Sequence, residues 1–188
     1  MLRYEYNDYK EYLETQIETN ILKSRGFGSG HCWAHDSELK AIGAMIVNEA
    51  PSTLGICHGV RTGHEVRVLR GYLQSDVIGT DLETNGFSDV YKWDFNQQND
   101  EWVGRFGWVY SNAFDHCYDP EHTLEVWVDQ TMVDGFVILH WTAEHEKINR
   151  VNCIGGGVNE LEEVVDRINC SLTYLKTTKR RVVVITRR

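Results

Sequence analysis

The stretch Leu54–Glu65, LGICHGVRTGHE, decides the fold. An apolar run stops at two glycines four residues apart, Gly59 and Gly63, and a helical pattern then begins. Eighteen residues after Gly63, a second apolar run ends in a carboxylate, Asp81 of VIGTDLE. Strand, glycine turn, helix, strand and acid, in that order, suit a nucleoside lying across the carboxyl ends of parallel strands. Glycine lets the backbone turn with positive φ and come close to a ligand. A carboxylate at the end of the next strand accepts hydrogen bonds from two ribose hydroxyls.

Outward from this unit the chain alternates α and β. Toward the N-terminus, Tyr9, Leu13, Ile17 and Ile21 fall four apart within about Asn7–Lys23, which is one helical stripe. Gly26–Gly30 breaks the pattern, and Asp36 or Ser37 caps a second helix that runs to about Glu49. Its inward residues are Leu39, Ile42, Met45 and Ile46, and Pro51 ends it. The first strand then falls at about Thr53–His58, its helix from Gly63 to about Gln74, and the second strand at Asp76–Asp81. An irregular segment, Glu83–Asp89, leads to a third strand at Val90–Asp94. Asn99 or Asp100 starts a short helix around Glu101–Gly104, and the fourth strand is Gly107–Ser111. Asp119-Pro120 marks a helix start with proline at the first helical position, and this helix is expected to reach about Val133. A fifth strand follows at Phe136–Trp141, then a loop through Gly155–Gly157 into a helix at about Val158–Asn169. Two β-rich runs, Ser171–Lys176 and Arg181–Thr186, close the chain. Strands joined by so tight a turn are antiparallel, because a parallel crossover needs a dozen or more residues.

Composition narrows the class. A chain of 188 residues, 41% hydrophobic and 25% charged, is long enough for one real core. With two prolines and no Ser/Gly-rich linker, it reads as a single domain over 1–188, with N-terminal helices in 1–50 and a core in 51–188. No apolar run approaches the ~20 residues of a membrane span. The start, MLRYEYNDYKEYLE, is too charged for a secretory signal. The five cysteines form no CxxC pair and read as reduced thiols of a cytoplasmic protein. A net charge of −9 argues against nucleic acid as a partner. The basic cluster from Lys176 to Arg181, with Arg187 and Arg188, reads as a solvated hairpin and tail. His31-Cys32-xx-His35 and His140 with His145 lack the spacings of metal sites, so no metal is expected. The serine elbow GxSxG and the phosphate loop GxxxxGK[ST] are absent.

These residues resemble the class I S-adenosylmethionine (SAM)-dependent methyltransferases. The family motif, acid-x-Gly-x-Gly-x-Gly, falls on Cys57, His58, Gly59, Val60, Arg61, Thr62 and Gly63. Two glycines match, Cys57 replaces the acid, and Arg61 replaces the middle glycine. The segment Trp108–His140 is similar to what such enzymes place after their third strand. The resemblance covers roughly residues 50–187. It implies a three-layer Rossmann-like α/β sandwich with a mostly parallel seven-stranded sheet that ends in an antiparallel hairpin. A nicotinamide dehydrogenase would want GxGxxG, so hydride transfer ranks below methyl transfer.

The resemblance also implies a cofactor, SAM, and residues to hold it. Cys57, His58, Gly59, Arg61, Thr62 and Gly63 form the turn at the methionine end, with Glu65 as a replacement for the missing acid. Asp81, with Leu82, takes the ribose. Asp94 takes the adenine amino group, with Trp93 or Phe95 against the ring. Tyr110, Ser111 and Asn112 end the strand where cofactor and acceptor meet. Arg61 either pairs with the cofactor's carboxylate or blocks the site. His116 is the candidate general base, or else an imidazole that stabilises its loop, and His140 is a further candidate. The acceptor is expected to be a small molecule or sugar-like compound. Two alternatives stay open: a degenerate SAM-binding protein without catalysis, and a nucleotide-binding module of an oxidoreductase.

Overall fold

The computed structural model describes residues 1–26, 33–141, 147–176 and 181–188. In chain order its elements are β1 (Leu2–Arg3), α1 (Tyr9–Gly26), α2 (Asp36–Glu49), β2 (Gly55–His58), α3 (His64–Leu73), β3 (Val77–Asp81) and β4 (Val90–Lys92). Then come β5 (Phe106–Ser111), α4 (Pro120–Gln130), β6 (Thr131–His140), β7 (Ile154–Gly155), α5 (Val158–Arg167), β8 (Cys170–Lys176) and β9 (Arg181–Arg187). The seven-stranded sheet runs β4-β3-β2-β5-β6-β9-β8. Every pairing from β4 to β6 is parallel, and β9 pairs antiparallel with both β6 and β8. Strand order reverses at β2, which has β3 on one side and β5 on the other. The carboxyl end of β2 is therefore the switch point where such sheets open a crevice.

The sheet is sandwiched because its strands alternate apolar residues to both faces. Ile56, Val109 and Val137 pack with Leu124, Trp127, Leu161 and Val164 from α4 and α5. Their neighbours Cys57, Tyr110 and Ile138 pack with Leu39, Ile42, Ile46, Val66 and Leu69 from α2 and α3. These are the three layers expected of the fold.

Several boundaries differ from the sequence reading. Helix α2 is capped by His35 and not by Asp36 or Ser37, with Glu38 Oε2 accepting from the His35 amide at 3.0 Å. The third strand stops at Lys92, because Asp94 turns back to hold its own loop. The α4 helix ends at Gln130 instead of Val133, and β6 starts at Thr131, where it pairs with Phe106. The hydroxyl of Thr131 donates to the Val128 carbonyl at 2.7 Å and closes the helix. The buried face of α1 is Tyr12, Thr15 and Gln16, whereas Tyr9, Leu13, Ile17 and Ile21 are only half-buried. A two-stranded antiparallel sheet, β1 with β7, was not expected, since two-residue strands carry no period. Part of the break at Gly26–Gly30, part of the loop after Trp141, and the turn before Arg181 lie outside the described residues.

Candidate functional site

The crevice at the end of β2 is a cavity floored by the glycine turn. Gly59 sits at φ +71°, in the left-handed region. A Cβ built there would lie 2.5 Å from Ala113 Cβ, so the position accepts no side chain. The amides of Gly59 and Val60 donate to the Thr80 carbonyl at 2.9 and 3.2 Å, which ties the turn to β3. The next amide, of Arg61, donates to Asp81 Oδ2 at 2.6 Å. The turn and the acid read from the sequence are thus one hydrogen-bonded unit.

Asp81 is buried at the end of β3. Its Oδ1 accepts from Leu82 N at 2.7 Å and from Asn20 Nδ2 at 2.5 Å. Burial raises its carboxyl to about 6, while the amides of Arg61 and Leu82 pull the other way. Asp94, nearby on the same cavity, accepts on Oδ1 from Asn96 N and Asn96 Nδ2 at 3.0 and 2.8 Å. Its Oδ2 takes the Tyr9 hydroxyl. Each carboxylate oxygen has two acceptor positions. Among the described residues, Oδ2 of Asp81 and Oδ2 of Asp94 each hold a single bond, so both carboxylates retain a place for a donor on a ligand.

The cavity lining includes Gly59, Arg61, Glu65, Asp81, Leu82, Asp94, Phe95, Asn112 and His116 from the sequence reading. Eight residues named from the sequence lie elsewhere. Cys57 is fully buried on the α2/α3 face of the sheet, and burial pushes its thiol up. The His58 imidazole is sealed on the opposite side, stacked on Trp127 at 5.0 Å. Gln130 Oε1, at 2.8 Å, accepts from His58 Nε2, so Nδ1 is the nitrogen that accepts from Thr80 Oγ1 at 2.7 Å. Burial lowers His58 to about 4 and keeps it neutral. Thr62 is buried beside the turn, and Gly63, at φ +70°, faces Arg67 and Val90. Ser111 is buried, donates to the His58 carbonyl at 3.1 Å and accepts from the Ala113 amide at 3.0 Å, so it positions the loop. Period-two alternation explains Cys57: a strand end can present only alternate residues to one side. Tyr110 and His140 meet edge to face at 5.8 Å in the core. Of the two aromatic choices, Phe95 lines the cavity, while Trp93 packs edge-on against Trp102 at 5.3 Å.

His116 has one nitrogen assigned by its partner. Nδ1 lies 2.9 Å from the Val151 carbonyl, which only accepts, so Nδ1 carries the hydrogen. The basic lone pair is therefore on Nε2. The nearest carboxylate oxygen, of Asp115, is 4.0 Å from Nε2, too far for a hydrogen bond.

The sequence offers the N-terminal helices as a cover for the pocket but singles out no residue of the wall that α1 builds. Tyr12, Gln16, Thr19, Asn20 and Lys23 line the cavity, together with Trp33 before α2. Tyr12 donates to the His116 carbonyl at 2.9 Å, and Gln16 Nε2 donates to the Val151 carbonyl at 2.9 Å. The available signal was a polar stripe at helical spacing, one residue round from the apolar stripe. His31, Cys32 and His145, which entered the metal comparison, lie outside the described residues.

No protein-family model matches the sequence, and no curated protein matches it significantly. The solved structures do. The crystal structure of Streptomyces venezuelae DesVI is similar over 98% of this chain and 100% of its own, with 11% identity and a TM-score of 0.65. A TehB-like SAM-dependent methyltransferase from Corynebacterium glutamicum is similar over 95% of this chain and 98% of its own, with 18% identity and a TM-score of 0.59. The CMeT domain structure of the citrinin polyketide synthase matches over 80% of this chain, with 12% identity and a TM-score of 0.59, and there the match spans only 52% of the other chain. The fold is that of the class I SAM-dependent methyltransferases. No helix among the described residues is long and apolar enough to cross a membrane.

Proposed function

We propose that the protein is a SAM-dependent methyltransferase acting on a small-molecule acceptor. The observation that carries this reading is the pair of carboxylates, Asp81 and Asp94, each with an open acceptor position, on a cavity floored by a bare glycine. Asp81 is suited to ribose hydroxyls and Asp94 to an exocyclic amine, with the Phe95 ring against the base. Gly59 gives the closest approach at the methionine end, where Arg61 lines the wall. SAM, when bound, supplies an electrophilic methyl group on a sulfonium. The protein's own work is to align the acceptor with that methyl and to exclude water. His116 Nε2 takes the acceptor's proton where the acceptor brings one into the site.

The non-catalytic alternative rested on Cys57 and Arg61. Cys57 lies outside the cavity and supplies no carboxylate to its wall, so the alternative stays to be tested. Calorimetry with SAM, its demethylated product S-adenosylhomocysteine (SAH) and NAD separates the readings. SAM and SAH binding with no NAD binding supports the proposal. Turnover of radiolabelled SAM over a panel of small acceptors then separates enzyme from non-catalytic binder.

A further inference from the structure

Lys23 is a cation on the cavity wall that the proposed function leaves without a role. It stands in the last turns of α1, where a cation is ordinarily accounted for by the helix carbonyl end. Arg25, in the same turn, is exposed and satisfies that explanation. Lys23 instead lines the cavity and is half-buried. No hydrogen bond or ion pair reaches its ammonium among the described residues. Burial of its stem along the wall, followed by the Arg61 charge, lowers its pKa.

Position separates Lys23 from the nucleoside end of the cavity. The charges near enough to act on it are Arg61, in the glycine turn, and Asp115, in the loop after β5. The nucleoside end of the cavity is marked by Asp81 and Asp94, whose partners on α1 are Asn20 and Tyr9. Lys23 is three residues beyond Asn20 on α1 and lines the same cavity as Asn112 and His116. The cofactor has one carboxylate, and Arg61 projects from the glycine turn itself. Lys23, a second half-buried cation on the cavity wall, is left for a second anion. Trp33 lines the same cavity yet is 56% exposed, an indole surface that a flat apolar acceptor body would cover.

We infer that Lys23 binds an anionic group, a carboxylate or a phosphate, on the methyl acceptor. The inference rests on the methyltransferase reading of the same cavity. The test uses the full chain saturated with SAH, titrated calorimetrically with p-hydroxybenzoate, phenyl phosphate and the neutral phenol. At least one anion is expected to bind about tenfold tighter than phenol, as for a charge-assisted hydrogen bond. In Lys23→Met that preference disappears while SAH affinity stays within about threefold, and in Lys23→Arg the preference returns. The inference is overturned if neither anion is preferred in the unmodified protein, or if the preference survives Lys23→Met. It is also overturned if Lys23→Met weakens SAH about tenfold or more, because Lys23 then holds the cofactor's own carboxylate. Failure of SAH to bind the unmodified protein sinks the methyltransferase reading instead, so the two failures are distinct.

Discussion

The side-chain amide of Asn20, in α1, donates to Oδ1 of Asp81, at the end of β3, across 2.5 Å. Asn85 fixes its orientation by donating to Asn20 Oδ1 at 2.6 Å, so the Nδ2 end faces the carboxylate. An N-terminal helix thus satisfies the acid that the glycine-turn pattern assigns to ribose. A ribose diol engages both carboxylate oxygens, and Oδ1 already holds two donors.

On the proposed reading, Asn20 yields its bond when the nucleoside enters. Removing it by Asn20→Ala is expected to tighten SAH binding by about 1 kcal/mol, the net worth of an exchanged hydrogen bond. Calorimetry on the two proteins measures it. Weaker binding in the variant would mean that Asn20 is itself a ligand to the nucleoside.

Asp81 gives the site a pH dependence. Its carboxyl is raised from 3.8 to about 6, so it is protonated below that pH in the free protein. Ribose hydroxyls bond the ionised form more strongly. SAH affinity is expected to rise with pH through about 6 and then level, and below about 6 to fall by about tenfold per pH unit until it reaches that of the neutral side chain. In Asp81→Asn the profile is flat and affinity is lower by about 1.5–3 kcal/mol. The raised carboxyl also stabilises the free fold at low pH, and that contribution is lost as pH rises from 3.8 to about 6.

His58 contributes with the opposite sign. It is lowered from 6.5 to about 4, so the unfolded chain binds a proton that the folded chain refuses. Stability from this residue is full above 6.5 and falls as pH drops toward 4, by about 3 kcal/mol. Chemical denaturation of the unmodified protein and His58→Gln between these pH values checks it. The slope of stability against pH should be smaller in the variant, whatever its absolute stability.

Gly59→Val tests the floor of the cavity. A valine there meets both a φ of +71° and Ala113 Cβ at 2.5 Å from its own Cβ. SAH binding is expected to vanish in calorimetry while circular dichroism retains the α/β spectrum. The double variant with Ala113→Gly relieves the contact but not the backbone strain or the filled cradle. It should recover stability without recovering affinity.

Much of this arrangement is written in local pattern. Gly59, Asp81 and Asp94 are legible because each sits where a strand period ends and a turn residue or acid follows. The closing hairpin is legible because so few residues join its strands. The α1 wall is not, because Tyr12, Gln16 and Asn20 gain meaning only through partners 61 to 135 residues away, Asp81, His116 and Val151. His58 was misplaced for a related reason. The motif places it beside the glycines, but its ring turns inward to Gln130 and Thr80, which lie in other units of the chain.

Arg61 is the departure that most bears on whether the site works. It holds φ +42°, a left-handed conformation that glycine adopts freely and arginine does not. The structure keeps the strained residue, with its side chain on the cavity wall and its amide bonded to Asp81. Arg61→Gly preserves that amide and relieves the strain, so it isolates the guanidinium. If the side chain pairs with the cofactor's carboxylate, the variant loses about 1.5–3 kcal/mol of SAH affinity while its melting temperature holds or rises. Arg61→Asn, which tolerates the left-handed region, should show the same loss and so removes glycine's flexibility as the explanation. Unchanged affinity in both variants would place the guanidinium off the ligand. Clearly tighter binding in both would show that Arg61 obstructs the site, and the reading of this chain as an active methyltransferase would then fall.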